Sequence, residues 1–226
     1  MTSRRTFLAT TAAATTTSVA LSGCLGIGGG DGGSSDALAD HPAAAGLDDE
    51  PTLGPPPMEA DAALVAFSDP SCPHCQTFET ETFPRLRENF VQSQRLSFVY
   101  RNVAVAREWA PAAIHALEAT WARDEAAFWA LRRWMYRNPD AVASNPGEAA
   151  ASFLADNTTL SDPDAVRTAA TDRTETEQVT EDEDAMRDAG LDSTPSFVVA
   201  RDGEVTGTVV GAQSYQTFVD AIGLEE

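Results

Sequence analysis

One stretch restricts this chain more than any other: Ala62-Ala63-Leu64-Val65-Ala66-Phe67, then Ser68-Asp69-Pro70, then Ser71-Cys72-Pro73-His74-Cys75. The first six residues are short and continuously apolar, the pattern of a buried strand, and the turn residues after them end it. A helical pattern opens at about His74, with Phe78, Phe83, Leu86 and Phe90 on one face and Pro84 expected to kink it. Two thiols at this spacing, at a strand-to-helix junction, can close a small disulfide ring. Cys72 falls at the helix N-terminus, where unpaired backbone N–H groups and the helix dipole favour a thiolate. His74, charged or donating a hydrogen bond, adds to that effect. Cys75, one turn further on, is expected to be more buried and to act as the resolving thiol. A stabilised thiolate stabilises the reduced form, so the disulfide readily oxidises other thiols.

Two other uses of such a pair compete. Half a zinc site needs two further ligands, yet the third of the three cysteines is Cys24, and His115 sits inside an apolar helical pattern as an ordinary helix residue. An inert structural disulfide gains little from closing so small a loop.

The rest of the chain frames the motif. Leu96-Ser97-Phe98-Val99-Tyr100-Arg101-Asn102-Val103 reads as a second strand, which makes strand–helix–strand a right-handed βαβ unit with parallel strands. A helical block follows from about Ala106 to Gly190. Ala110, Ile114, Leu117 and Trp121 share one face, as do Phe128, Leu131 and Met135, and Asn138-Pro139 and Asn145-Pro146-Gly147 punctuate the block. Its acidic end, 175–188, reads as a solvated helix face. Ser196-Phe197-Val198-Val199-Ala200 and 205–210 then form a hairpin about Arg201-Asp202-Gly203, and Tyr215, Phe218, Val219 and Ile222 give a final amphipathic helix. The order is βαβ, helical insertion, ββα, an α/β chain.

The N-terminal region reads as an address. Ser3-Arg4-Arg5-Thr6-Phe7-Leu8, a weakly apolar stretch to Leu21, and Leu21-Ser22-Gly23-Cys24 follow in the order of a secretory signal. The arginine pair resembles a twin-arginine export signal. The segment around Cys24 resembles a lipobox, whose cleavage leaves Cys24 as a lipidated N-terminus held by two acyl chains. Residues 1–23 are thus expected to be removed, and 24–60, rich in Gly, Pro and acids, to form a disordered tether. No run of about 20 apolar residues demands a membrane-spanning helix. With 15 Arg, no Lys and 35 acids, the formal charge is -20. That balance argues against nucleic acid as a partner, and it resembles proteins of salt-loving microbes, where salt screens self-repulsion.

A second element makes a resemblance specific: Asp192-Ser193-Thr194-Pro195-Ser196-Phe197, a proline directly before a strand. Together with 67–75 and the Pro73-His74 dipeptide, it is similar to the DsbA-like thioredoxin-fold disulfide oxidoreductases, over roughly 61–223. The resemblance implies a thioredoxin fold, 61–105 with 191–226, interrupted by an all-helical domain, 106–190. It implies that Pro195 is cis and faces Cys72, and that the Thr194 backbone pairs with a substrate strand. It also implies a catalytic set of Cys72, Pro73, His74 and Cys75, no organic cofactor and no metal. The partners implied are exported proteins bearing thiols or disulfides, and a membrane redox partner that recharges the pair. One position departs from the pattern: Ala66 stands where many relatives carry a buried carboxylate, which leaves water or Asp69 to serve Cys75. The alternatives within this reading are a reductase or isomerase of the same fold, or a peptide-binding chaperone module.

Overall fold

Runs of apolar residues with no polar face have to be covered on both sides, and the computed structural model, which describes residues 37–225, shows how this is done. The strands are β1 (Thr52–Leu53), β2 (Ala62–Ser68), β3 (Leu96–Asn102), β4 (Ser196–Arg201) and β5 (Glu204–Val210), in the order β1-β3-β2-β4-β5. β2 and β3 are parallel, with Ala62 opposite Leu96 and Ser68 opposite Asn102. β4 runs antiparallel to β2, setting Ser196 opposite Phe67, and β5 returns beside β4. All seven residues of β2 are buried. Alternation along β2 sends Leu64 and Ala66 into a core with Phe78, Phe83, Phe98, Phe197 and Phe218. Ala63, Val65 and Phe67 go to a second core on the opposite face. The hairpin turns through Asp202 and Gly203, both at positive φ, the backbone a tight two-residue turn requires.

The helix after Cys72 passes through two widened turns, one on each side of Pro84. α1 (Pro73–Thr77) passes into a π-type turn at Phe78–Thr82, then α2 (Phe83–Leu86), then a second such turn at Arg87–Val91. The Phe83 N–H reaches back to the Phe78 carbonyl just before Pro84, whose ring and missing N–H would disrupt a regular turn.

The insertion comprises α3 (Ala110–Trp121), α4 (Glu125–Arg137), α5 (Pro139–Ser144), α6 (Pro146–Asn157), α7 (Pro163–Asp172) and α8 (Thr176–Asp188), and α9 (Tyr215–Ile222) closes the chain. The punctuation read in sequence is helix starts: proline occupies the first turn of α5, α6 and α7, and the Asn145 and Asp162 side chains accept N–H groups of Glu148 and Ala165. His115 is buried, and its Nδ1 accepts the Glu175 N–H at 3.1 Å.

Two expectations need correction. Residues 37–60 are not a loose tether. Leu38, Ala43 and Leu47 are buried against Val65, Phe67, Val99 and Met186, and β1 pairs with the β3 edge. The chain enters this strap at Ala37, which bridges to Glu204, and the Leu38 N–H bonds the Gly203 carbonyl at 2.8 Å. Apolar residues at intervals of four and five outweigh the Gly, Pro and acid content around them. Nor is α8 solvated throughout. Asp182 is fully buried, bound to Arg101 at 2.8 Å and to the Asn102 N–H at 2.7 Å. Arg101 also meets Glu50 of the strap at 3.1 Å and donates to the Ala45 carbonyl, and Asn102 donates to Glu118 at 2.7 Å. The strap, β3, α3 and α8 are thereby joined around one buried guanidinium. The expected signal segment, Cys24 and the first part of the tether lie outside the described residues.

Candidate active site

The end of β2 delivers the chain into a turn held by Asp69. Asp69 is fully buried; one carboxylate oxygen accepts the Ser71 N–H at 2.6 Å, and the other accepts those of Val105 and Ala106 at 2.8 and 2.7 Å. The loop before Cys72 is thus pinned to the loop after β3. Both oxygens being engaged with backbone donors, the carboxylate is occupied as a structural bracket. It is the Asp69 N–H that reaches the Cys75 Sγ, at 3.5 Å.

Cys72 caps α1 with extended backbone, and Pro73 takes the first helical position, where its missing N–H costs nothing. Both cysteines are free thiols. Cys75 is fully buried, while Cys72 keeps 6% of its surface exposed. The Thr194–Pro195 peptide is cis, and the Cys72 thiol lies 3.4 Å from the Thr194 carbonyl oxygen. The two distant motifs, 122 residues apart, therefore meet at one sulfur.

The electrostatics separate the thiols. The Cys72 pKa is lowered from 9.0 to about 5, first by the hydrogen bond from Cys75. Burial opposes the shift, and the Thr194 side chain and the N–H groups of Cys75 and His74 support it. Burial, the Cys72 hydrogen bond and the Cys72 charge push Cys75 far up. One sulfur is thus an anion at neutral pH and the other a thiol. The His74 imidazole is exposed, and its residue reaches the Cys72 sulfur through its backbone N–H.

Beside the cysteines lies a cleft of about 290 Å³, lined by Cys72, Gln76, Arg107, Trp109 and, across from them, Pro139 and Asp140 of α5. The sequence marked Asn138-Pro139 only as punctuation, so the part α5 plays in this cleft was missed. Below Cys75, sequence reasoning also missed a polar cluster. Tyr100 lies opposite Ala66 in the β2–β3 register, and its hydroxyl bonds that of Tyr136 at 2.8 Å. The Arg132 guanidinium stands 4.1 Å from the Tyr100 ring centre and pairs with Glu79. Burial raises both tyrosine pKa values. The strand neighbour of Ala66 thus contributes a neutral hydroxyl, paired with a second one. The available signal was a phenol, with its hydroxyl, in a strand read as buried.

Comparisons with known proteins agree with this geometry. The family model described as Thioredoxin matches residues 48–222. The chain is 26% identical to disulfide bond formation protein D of Bacillus subtilis over 165 residues, 73% of this chain and 72% of that protein. Its fold is similar to the crystal structure of oxidised BdbD from Bacillus subtilis, with a TM-score of 0.66 and 23% identity, covering 78% of this chain and 92% of that one. It is also similar to that of Chlamydia trachomatis DsbA, with a TM-score of 0.62 and 20% identity, covering 88% and 96%.

Proposed function

The chain belongs to the DsbA-like thioredoxin-fold protein disulfide oxidoreductases, and from that premise we propose that it works as a dithiol oxidase on exported proteins, outside the cytoplasmic membrane. The observation that carries the direction is the low pKa of Cys72, about 5, beside a protonated and buried Cys75. A substrate thiolate attacks the Cys72 sulfur of the oxidised pair, the more accessible of the two. A substrate–Cys72 bond forms, the Cys72–Cys75 bond breaks, and Cys75 leaves and takes up a proton. The second substrate thiolate then attacks the substrate sulfur of the mixed disulfide. The substrate's own disulfide forms, and Cys72 departs as a stable thiolate, a good leaving group because of its low pKa. Two electrons pass from substrate to the pair, and a membrane redox partner takes them on.

Pro73 sets the start of α1, His74 supports the thiolate, and Thr194-Pro195 holds the substrate chain beside the sulfur. Residues 1–23 direct export, and lipid on Cys24 anchors the mature chain; no described helix is long and apolar enough to cross a membrane. The deciding experiment equilibrates the Cys72–Cys75 couple with glutathione in high salt. A potential near about -120 mV, that of strongly oxidising DsbA, supports the oxidase, and one near about -270 mV, that of thioredoxin, assigns reductase or isomerase work instead.

A further inference from the structure

The described surface pairs several of its arginines with acids: Arg95 with Asp61, Arg167 with Glu148 and Asp164, Arg187 with Asp184. Others, such as Arg107, Arg123, Arg173 and Arg201, stand singly without such a partner among the described residues, but at one place unpaired arginines gather. Between α2 and α4, beside β1, a cavity of about 310 Å³ is lined by four arginines, Arg87, Arg132, Arg133 and Arg137, and a single acid, Glu79. Arg132 is buried and spends one guanidinium nitrogen on Glu79. Arg87, Arg133 and Arg137 are exposed, and none has a carboxylate at ion-pair distance among the described residues. In a chain of charge -20 with 35 acids, so large a local excess of cations marks a place where negative charge is supplied from outside.

Two donors on the wall support this independently. Arg132 Nε and Trp129 Nε1 are both buried without a hydrogen-bond partner, and both residues line the cavity. Buried donors are seldom left unmade; neither atom is open to solvent in this structure, and a small shift of the wall around a bound acceptor would expose and satisfy them. The remaining wall is apolar: Leu53, Phe83 and the Trp129 ring. The volume lies at the small end of the range for small-molecule sites.

We propose that this cavity binds a small amphipathic anion, with a carboxylate or phosphate head on the arginines and an apolar body against Leu53, Phe83 and Trp129. Planar guanidinium forks match both head groups in two-point contact. The site is separate from the Cys72 cleft and does not depend on the direction of disulfide exchange.

The test is calorimetric titration of the full chain with phenyl phosphate and with phenylacetate, against inorganic phosphate and benzyl alcohol as half-ligands. Saturable one-site binding of either amphipathic anion, at least about tenfold tighter than both half-ligands, is expected. The double variant Arg133→Ala/Arg137→Ala, changed only at exposed positions, should weaken it at least about tenfold with disulfide exchange intact. Trp129→Phe, which removes the indole N–H and keeps an aromatic wall, should weaken it several-fold. Absence of saturable binding, equal binding of inorganic phosphate, or undiminished binding by the double variant would each overturn the proposal.

Discussion

Replacing Cys75 by Ala removes the largest single support of the Cys72 thiolate. The wild-type pKa is about 5, and the hydrogen bond from Cys75 heads the causes. A hydrogen bond to a charged group is worth roughly 1.5–3 kcal/mol, and one pKa unit is about 1.4 kcal/mol. Losing it should raise the Cys72 pKa by about one to two units, to about 6–7. At pH 6 the wild-type thiolate is about nine-tenths formed, whereas in the variant it falls to about half or less. The assay is the pH profile of Cys72 alkylation, with Cys24 replaced by Ser in every protein so that the more accessible thiol of the pair is read. Cys75→Ser, which keeps an O–H donor, should fall between the two. A Cys75→Ala midpoint within about 0.3 units of wild type would refute the reasoning and assign the thiolate to Thr194 and the helix N-terminus. The same shift fixes a stability dependence. The folded pKa lies below the usual 9.0, so the thiolate's contribution to the dithiol form is absent below about pH 5 and grows from there to about 9. At pH 7 it amounts to about two units, about 2.7 kcal/mol, or about 60 mV of oxidising potential. The excess stability of the dithiol over the disulfide form should therefore shrink as pH falls from 7 to 5.

Three further outcomes are expected. Asp69→Ala orphans the N–H groups of Ser71, Val105 and Ala106; denaturant unfolding should show a loss of about 3–5 kcal/mol, and Asn, which retains one acceptor oxygen, a smaller one. Leu38→Ala should cost about 2–5 kcal/mol by the same measurement, since the strap is part of the core; a loss near zero would show that it is not. Burial, and then the Asp182 charge, push the Glu118 pKa up to about 8. An acid raised in the folded state favours folding below its ordinary pKa and loses that contribution as pH rises through the folded value. Stability should thus decline between about pH 5 and 8, by on the order of a few kcal/mol, and Glu118→Gln should flatten the decline in thermal melts across that range.

The parts of this fold that could be read from sequence are those governed by local pattern. A continuous apolar run marked β2, a largely apolar and aromatic run marked β3, and proline beside Asn marked breaks in the helical block. Thr194-Pro195 needed the order of elements around it before it could be set opposite Cys72, because nothing local says that two segments 122 residues apart will meet. What stayed hidden depends on partners far away in the chain. Asp182 looks like any other acid in 175–188 until Arg101 is brought under it. Glu79, Arg132, Tyr100 and Tyr136 are individually unremarkable side chains whose roles exist only once α4 packs across the sheet. Leu38, Ala43 and Leu47 are too few to form an element of their own and are buried only because β2, β3 and β4 offer them a ready apolar face. Composition therefore misjudged the strap.

The point where the strap joins the sheet also gives the molecule a direction. Ala37 and Leu38 attach at the Gly203–Glu204 turn, which lies by the Ala62 end of β2, since Ala62 pairs with Arg201. Cys72 follows the Ser68 end, about 20 Å away along the strand. Ala37 and the reactive sulfur thus lie toward opposite ends of β2. Were the fold held at its Ala37 end against a surface, its thiol would lie on the side away from that surface. Clients in the surrounding solution could reach it freely, whereas a recharging partner embedded in that same surface would need a long projecting arm, or a strap that lets the whole body tip over.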